Sequence, residues 1–257
     1  MTRSSSVHAT RRLFTIAALS LATAATAQAW SLSFGSSQRV EGNGDVAAEG
    51  RDVGAFDAVA LAGDFKVLVR QGSADKVEVR TDRNLLPYIE TRVVDGSKGR
   101  TLEIGPKKGY SLNTKGSPTI TLDMRQLRGV AIAGSGDIRV EPMKTTQLEA
   151  SIAGSGDLKV QGLEADQVML RVAGSGDMQI QGKAGALSVS VAGSGDVKTR
   201  ELVVDDAKVS ISGSGDVTVQ AMRKLDVRIV GSGDVGYLGN PEISFSNAGS
   251  GSVRKLK

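Results

Sequence analysis

An all-β fold, a parallel β-helix of short coils of 18–20 residues with larger, irregular coils at its N-terminal end, is predicted by three observations. First, Gly-Ser-Gly-Asp recurs, with Gly-Ser-Gly-Ser as its last copy, its first glycine falling at Gly134, Gly154, Gly174, Gly193, Gly213, Gly231 and Gly249, at spacings of 20, 20, 19, 20, 18 and 18. Second, apolar and polar residues alternate around each glycine with the period of two that a strand requires. Third, the apolar positions keep the same offsets in every repeat, so stacked repeats would align like with like. One repeat cannot stand alone: its inward side chains contribute about 1.5–3 kcal/mol each on burial, against a backbone ordering cost of about 1–2 kcal/mol per residue. Copies stacked about 4.8 Å apart pair their strands in parallel and share one core. Right-handed winding is the expectation for parallel crossovers.

Residues 1–29 read as a secretory leader. Arg3, Arg11 and Arg12 precede an apolar run from Leu13 to about Ala25, and Ala27-Gln28-Ala29 forms a small-residue cleavage site. Cleavage is expected between Ala29 and Trp30, and export to the periplasm, cell surface or medium by the general route or the twin-arginine route, to which Arg11-Arg12 is similar. No later segment has the length of apolar sequence that spans a bilayer as a helix, so the chain is not expected to be membrane-spanning. The leader holds three arginines and no acidic residue, so its removal lowers the formal net charge from +4 to +1. No basic patch remains to mark a nucleic-acid partner. The chain has no cysteine, and its single histidine, His8, lies in the leader. Disulfide stapling, thiol nucleophiles, His-based triads and His-ligated zinc are thereby excluded for the mature protein.

Residues 30–53 are polar and rich in glycine and serine, and are expected as a flexible lead-in to a single β-helix domain spanning 54–257. Within it, residues 54–128 have lost the period but not the strands: FDAVAL, DFKVLV, KVEVRT, TLEIG and TITLDM all alternate or run β-branched. VALAGDFKV, at 59–67, reads as the later VAIAGSGDIRV with two corner residues missing. Asn84 to Pro87 and Lys107 to Ser117 read as loops.

From residue 129 the repeats are regular. Four inward files precede or follow the corner. Leu148, Val168, Leu187, Ala207, Leu225 and Ile243 begin each approach; Ala150, Leu170, Val189, Val209, Val227 and Phe245 continue it; Ile152, Val172, Val191, Ile211 and Ile229 complete it, with Asn247 last. Ile138, Leu158, Met178, Val197, Val217, Val235 and Val253 follow the corner. Nine residues after each of the first six glycines stand Met143, Leu163, Lys183, Leu202, Met222 and Asn240, so the length variation is expected in the outer turn beyond them. At the C-terminal end Asn247, Ser252 and the charges of Arg254, Lys255 and Lys257 are expected to cap the open edge.

The residues from FDAVALAGDFKVLVRQGSADKVEVRTDRNLLPYIET through TITLDM to the GSGD ladder resemble the head GIN domain family of exported bacterial proteins, described as autotransporter adhesins. The resemblance covers residues 53–252 and implies a β-helical fold, an extracytoplasmic location and a non-enzymatic, adhesin-like role toward an envelope component, glycan or protein. It carries no binding residues.

The corner itself admits two readings. Glycine suits a bend that must fit between identical bends, while serine and aspartate can bond the turn's own N–H groups, so GSGD reads as a turn. Alternatively Asp137, Asp157, Asp177, Asp196, Asp216 and Asp234 form a calcium-binding ladder, since GSGD is similar to the calcium-binding GGxGxDxUx repeat and carboxylates about 5 Å apart repel by about 1 kcal/mol even in water. No other cofactor is implied. The corner serines, Ser135, Ser155, Ser175, Ser194, Ser214, Ser232 and Ser250, would form an outward hydroxyl file. A polysaccharide-active enzyme is a third reading, but the 3–5-residue outer turns are short for a cleft, and Asp205-Asp206 reads as solvated turn rather than an acid/base pair.

Overall fold

The computed structural model describes residues 37–96 and 99–257. The expected leader, its cleavage site at Ala29 and Trp30, and the start of the lead-in lie outside the described residues. The predicted parallel β-helix is what the chain forms: a β-solenoid of stacked parallel coils with the alternating residues of the stacked strands from β3 (Ala58–Ala62) to β16 (Val217–Gly231) turned into one core. No helix of the described residues is long and apolar enough to cross a membrane.

The stack has two chains of neighbours, one on each side of the glycine corner. Before the corner, β3 (Ala58–Ala62), β10 (Gly129–Gly134), β12 (Met143–Gly154), β13 (Leu158–Gly174), β14 (Met178–Gly193), β15 (Val197–Gly213), β16 (Val217–Gly231) and β18 (Glu242–Gly249) pair in parallel, each with the next. After the corner, β4 (Lys66–Gln71) and β11 (Asp137–Val140) lead into the opening segments of β13 to β16, and β17 (Val235–Leu238) and β19 (Val253–Lys255) complete that side. The register is like on like. Val130 lies over Ala150, Ile132 over Ile152, and Gly134 over Gly154. The inner files from Leu148, Ala150, Ile152 and Ile138 are buried through Leu225, Val227, Ile229 and Val235. Thr199, the polar member of an inner position, is fully buried and satisfies its hydroxyl by donating to Thr218 O at 2.7 Å.

The corner departs from one expectation. Val59 and Leu61 lie under Val130 and Ile132, and Lys66 under Asp137, so Gly63-Asp64-Phe65 occupies the place of Gly134-Ser135-Gly136 and no residue is missing. Phe65 turns inward and is buried, which a file of glycines cannot do above it.

The period slips elsewhere than expected. Between β13 and β14 the register shifts between Val160 and Leu163, so Leu163 lies over Gly182 and not Lys183. Between β14 and β15 it shifts back at Gln179/Gln181, and between β15 and β16 at Thr199/Val203 and Val204/Asp206. The outer segment is therefore a continued strand interrupted by irregularities that lie ahead of the Leu163 position as well as beyond it. This keeps Lys183 exposed, and puts Ala221 into the core while Met222 is turned out at 48% exposure.

The N-terminal end is closed by a larger, irregular coil, as expected, to which antiparallel strands are added. β7 (Gly99–Pro106) and β9 (Thr119–Met124) lie in parallel beneath β3 and β4. Beyond them β6 (Ile89–Gly96) pairs antiparallel with β7, and β5 (Lys76–Asp82) with β9. Residues expected in the flexible lead-in contribute β1 (Gln38–Glu41) and β2 (Val46–Arg51), the latter antiparallel to β5. β1 pairs in parallel with β8 (Tyr110–Asn113), inside the stretch expected as a loop. A 3₁₀ turn at Leu86–Tyr88 buries Leu85 and Leu86, and Arg51 holds it by donating to Leu86 O and Ile89 O, both at 2.7 Å.

The second corner glycine tests this packing. A Cβ on Gly195 would lie 2.2 Å from Gly176 O, whereas Ser194 beside it is exposed. Gly195→Ala is expected to cost about 1–3 kcal/mol by overpacking, and Ser194→Ala within about 0.5 kcal/mol, giving a fall in melting temperature of several degrees for the first and little change for the second.

Candidate functional site

The most regular surface feature is the corner, and its geometry begins with two backbone N–H groups sharing one carbonyl. Ser155 N and Gly156 N donate to Gly134 O at 2.9 and 3.0 Å. Ser175 and Gly176 do the same to Gly154 O, and Ser194 and Gly195 to Gly174 O, each pair at 2.9 and 3.1 Å. Bonds this short bring successive corners so close that no side chain fits between them. Gly154 has φ +133°, a left-handed region that side chains avoid, and a Cβ there would lie 2.4 Å from Gly134 O.

The aspartates complete the bend, though not within their own turn. Asp177 N donates to Asp157 Oδ1 at 3.2 Å, Asp196 N to Asp177 Oδ1 at 2.9 Å, Asp216 N to Asp196 Oδ1 at 3.0 Å, and Asp234 N to Asp216 Oδ1 at 2.8 Å. From Asp157 to Asp216 each carboxylate thus receives the N–H of the aspartate one coil on, stapling neighbouring coils rather than closing an Asx turn. Ser252 ends the file, giving both N–H and hydroxyl to Asp234 Oδ1 at 2.8 and 2.9 Å. These bonds, the hydroxyl first, hold the Asp234 carboxyl below the ordinary carboxylate range. Lys198 Nζ lies 3.2 Å from Asp177 Oδ2 and 3.6 Å from Asp196 Oδ2. Its ammonium is held above the ordinary lysine value, chiefly by the bond to Asp177.

The structure therefore brings all six predicted residues, Asp137, Asp157, Asp177, Asp196, Asp216 and Asp234, into one straight file. It sets them along a line, and among the described residues no three acidic, histidine or cysteine groups gather around a point that could hold a metal ion. The corner serines form the exposed file expected of them. Asp206 is exposed and pairs with Arg223 at 2.7 Å, not with a second carboxylate.

Two features escaped the sequence reading. Asp82 is buried, accepting from Gly44 N at 3.0 Å and from the Thr114 hydroxyl at 2.8 Å. It pins the turn at Gly42-Asn43-Gly44-Asp45, which joins β1 to β2 away from the corner file. Near it an open groove beside Phe65 is lined by Pro106, Tyr110, Asn113 and Thr114. Both depend on β8 folding back onto β1 across some 70 residues, for which no local signal exists.

With this geometry described, the comparisons decide the lineage. The family described as "Putative auto-transporter adhesin, head GIN domain" matches residues 55–241. The chain belongs to the head GIN domain family. Among solved structures, head GIN residues of this chain superpose on one described as a "putative lipid binding protein" from Parabacteroides distasonis ATCC 8503, with 30% identity, a TM-score of 0.72, and coverage of 86% of this chain and 100% of that one. A "putative adhesin" from Bacteroides fragilis NCTC 9343 is similar at 22% identity and a TM-score of 0.79, over 84% of this chain and 100% of that one. Another from Parabacteroides merdae ATCC 43184 has 22% identity and a TM-score of 0.69, over 86% and 100%. At those identities the last two speak for the head GIN fold alone. No curated protein matches the sequence.

The ladder makes two predictions. Asp196→Ala deprives Asp216 N–H of its acceptor and is expected to lower stability by about 0.5–1.5 kcal/mol, whereas Asp196→Asn keeps an oxygen there and costs less, as read by thermal melting of both variants. Asp234 has a lowered folded value, so its contribution is present above the unfolded carboxylate value and is lost as pH falls through the folded one. Melting temperature should therefore fall below about pH 4, and Ser252→Ala, which removes the leading cause, should flatten that acid limb. Lys198 has the opposite sign: its raised value keeps its contribution below the unfolded lysine value and loses it as pH rises through the folded one, in the alkaline range.

Proposed function

We propose that this chain is an exported, non-enzymatic interaction module of the bacterial envelope, adhesin-like in role, that engages an extended or repeating partner through the flat side of the solenoid before the corner. The observation that carries this reading is the outward face of that side. Ala133, Ala153, Ala173 and Ala192 are exposed in one file, and Ser151, Ser190 and Ser210 stand in the file two residues before it. Parallel pairing repeats the alanines at about 4.8 Å, so that file is flat, and the serines beside it offer hydroxyls along the same face. Such a surface suits a partner that is itself extended, and a glycan of the envelope is the chemistry we favour. Arg171, between Ser151 and Ser190, and Arg228, over Ser210, rise from the serine file and provide cationic, planar donors toward it.

Membership of a family described as adhesins supports the non-enzymatic reading and the envelope location. The leader pattern of residues 1–29, with cleavage between Ala29 and Trp30, supports export, by the general or the twin-arginine route.

The test uses the purified chain against an array of bacterial envelope polysaccharides and peptidoglycan fragments. Ala173→Arg and Ala192→Arg raise bulky side chains from the middle of the flat face without entering the core. Each is expected to weaken binding at least tenfold, while Lys159→Ala, beyond the corner, leaves it unchanged. Binding indifferent to both arginine variants, or release of reducing ends from any bound polysaccharide, would refute the proposal.

A further inference from the structure

Large apolar side chains are exposed at few places, and those places are clustered. Val46, Met222, Val230, Ile243 and Phe245 are the exposed large apolar residues among those described, and all but Val46 belong to the last two coils. Ile243 and Phe245 are core residues by position. They lie over Leu225 and Val227, which are buried, yet they are 40% and 45% exposed because no coil follows them. Every residue of β18 is exposed. The charged tail expected to cap this end does not cover it: Leu256 N bonds Tyr237 O at 2.8 Å and its side chain packs on Gly236, on the far side of the corner.

The same end refuses another coil of its own kind. In the lower coils the first corner carbonyl receives the serine and glycine N–H groups of the next coil. At the last corner Asn247 Nδ2 takes that role, donating to Gly249 O at 3.2 Å and to Gly251 O at 2.8 Å. Ser252 has no carboxylate to offer the next N–H. The corner half is thus closed while the strand half is open. Nor does the N-terminal end complement it, because the outermost strands there, β2 and β6, carry Glu49, Arg51, Glu90, Arg92 and Asp95, with Arg51 paired to Glu49 at 3.0 Å and Arg92 to Glu103 of β7 at 2.8 Å.

The strand does complement itself. Residues directly opposite in an antiparallel pair face the same side. With a two-fold axis at Ser244, Ile243 stands opposite the partner's Phe245 and Phe245 opposite the partner's Ile243, two aromatic to β-branched pairs of the kind that stabilise sheets. Glu242, the single charge of β18, meets the partner's Ser246 and no like charge. Moving the axis by one residue to Phe245 would instead set Ile243 against Asn247, which is engaged in the cap.

We propose that β18 is a self-association edge, through which two copies of this chain join end to end about a two-fold axis at Ser244 in an antiparallel β18–β18 pair. The contact is isologous and closes on itself, so it yields a dimer and no fibre. It is small, so the dimer is reversible and concentration-dependent.

Sedimentation equilibrium of the purified chain over a range of concentrations tests this. A monomer–dimer equilibrium is expected. Phe245→Glu and Ile243→Lys should be monomeric at every concentration. Because the chain lacks cysteine, Ser244→Cys should form a disulfide-linked dimer on mild oxidation far faster than Ser151→Cys, on the side of a middle coil. A monomer at every concentration, assemblies larger than dimers, a dimer unaffected by Phe245→Glu, or equal cross-linking of the two cysteine variants would each overturn the proposal. Should Phe245→Glu fail to fold, the cysteine comparison decides alone.

Discussion

Everything regular in this molecule depends on the approach of one glycine corner to the next. A carbonyl that accepts two N–H groups from the coil above leaves only 2.0–2.4 Å between it and the place where a Cβ would sit, from Gly154 through Gly249. No side chain survives that distance. Glycine at both corner positions is thus a condition of forming the shared hydrogen bonds at all, and the file can be extended only by repeating it. Once the corner is fixed, the two strands leaving it have no freedom of register, and like residues fall over like.

That constraint reaches the core and the surface alike. Inside, aligned files of Val, Ile and Leu are buried without any residue having to recognise a different one, so a single pattern of alternation serves every level. Outside, the same alignment would set aspartate over aspartate with nothing between them. The backbone N–H of each following aspartate resolves this by occupying one carboxylate oxygen, and Lys198 neutralises part of the middle of the file. The acid row is therefore explained by the backbone's need for an acceptor at a point where the bend carries its N–H away from the neighbouring strand's carbonyls.

What was legible in the sequence was what repeats. Ile152, Val172, Val191 and Ile211 announce their file because each occupies the same offset from its glycine, and a period of that kind has no other economical explanation. The slips were misplaced because offsets counted from the glycines are blind to where a strand bulges. Lys183 and Met222 sit at the count that Leu163 and Leu202 occupy, yet the chain shortens before them, so that Gly182 lies over Leu163 and Ala221 over Val204. Where the repeat stops, so does the legibility. β2, β5 and β6 are ordinary alternating strands whose antiparallel partners are chosen by distant residues, and Asp82 looks like any polar residue until Gly44 and Thr114 close over it. The aspartates were legible as a file, but their hydrogen-bond direction was not, since one bonded within its own turn and one bonded upward have the same sequence.

A stack that can grow by repetition must be stopped by something that is not a repeat, and the two ends stop it by different physics. At the N-terminal end Phe65 replaces the inner glycine and Lys66 the aspartate, and beyond one further parallel level, β7 and β9, the chain changes to antiparallel pairing, so the edge finally shown to solvent belongs to charged strands of another geometry. At the C-terminal end the last coil is geometrically a perfect member of the series, with Gly249 over Gly231 and Phe245 over Val227. Termination there rests on two substitutions only, asparagine for the apolar residue before the corner and serine for the aspartate after it. Those two close the corner's carbonyls and end the carboxylate file, but they act within the bend, a few residues from Gly249. Ile243 and Phe245 lie too far back along the strand to be reached by either, and they keep the apolar character of their files because the coil beneath still needs it. The exposed edge is thus the direct consequence of ending a periodic core by altering its corner instead of its strand.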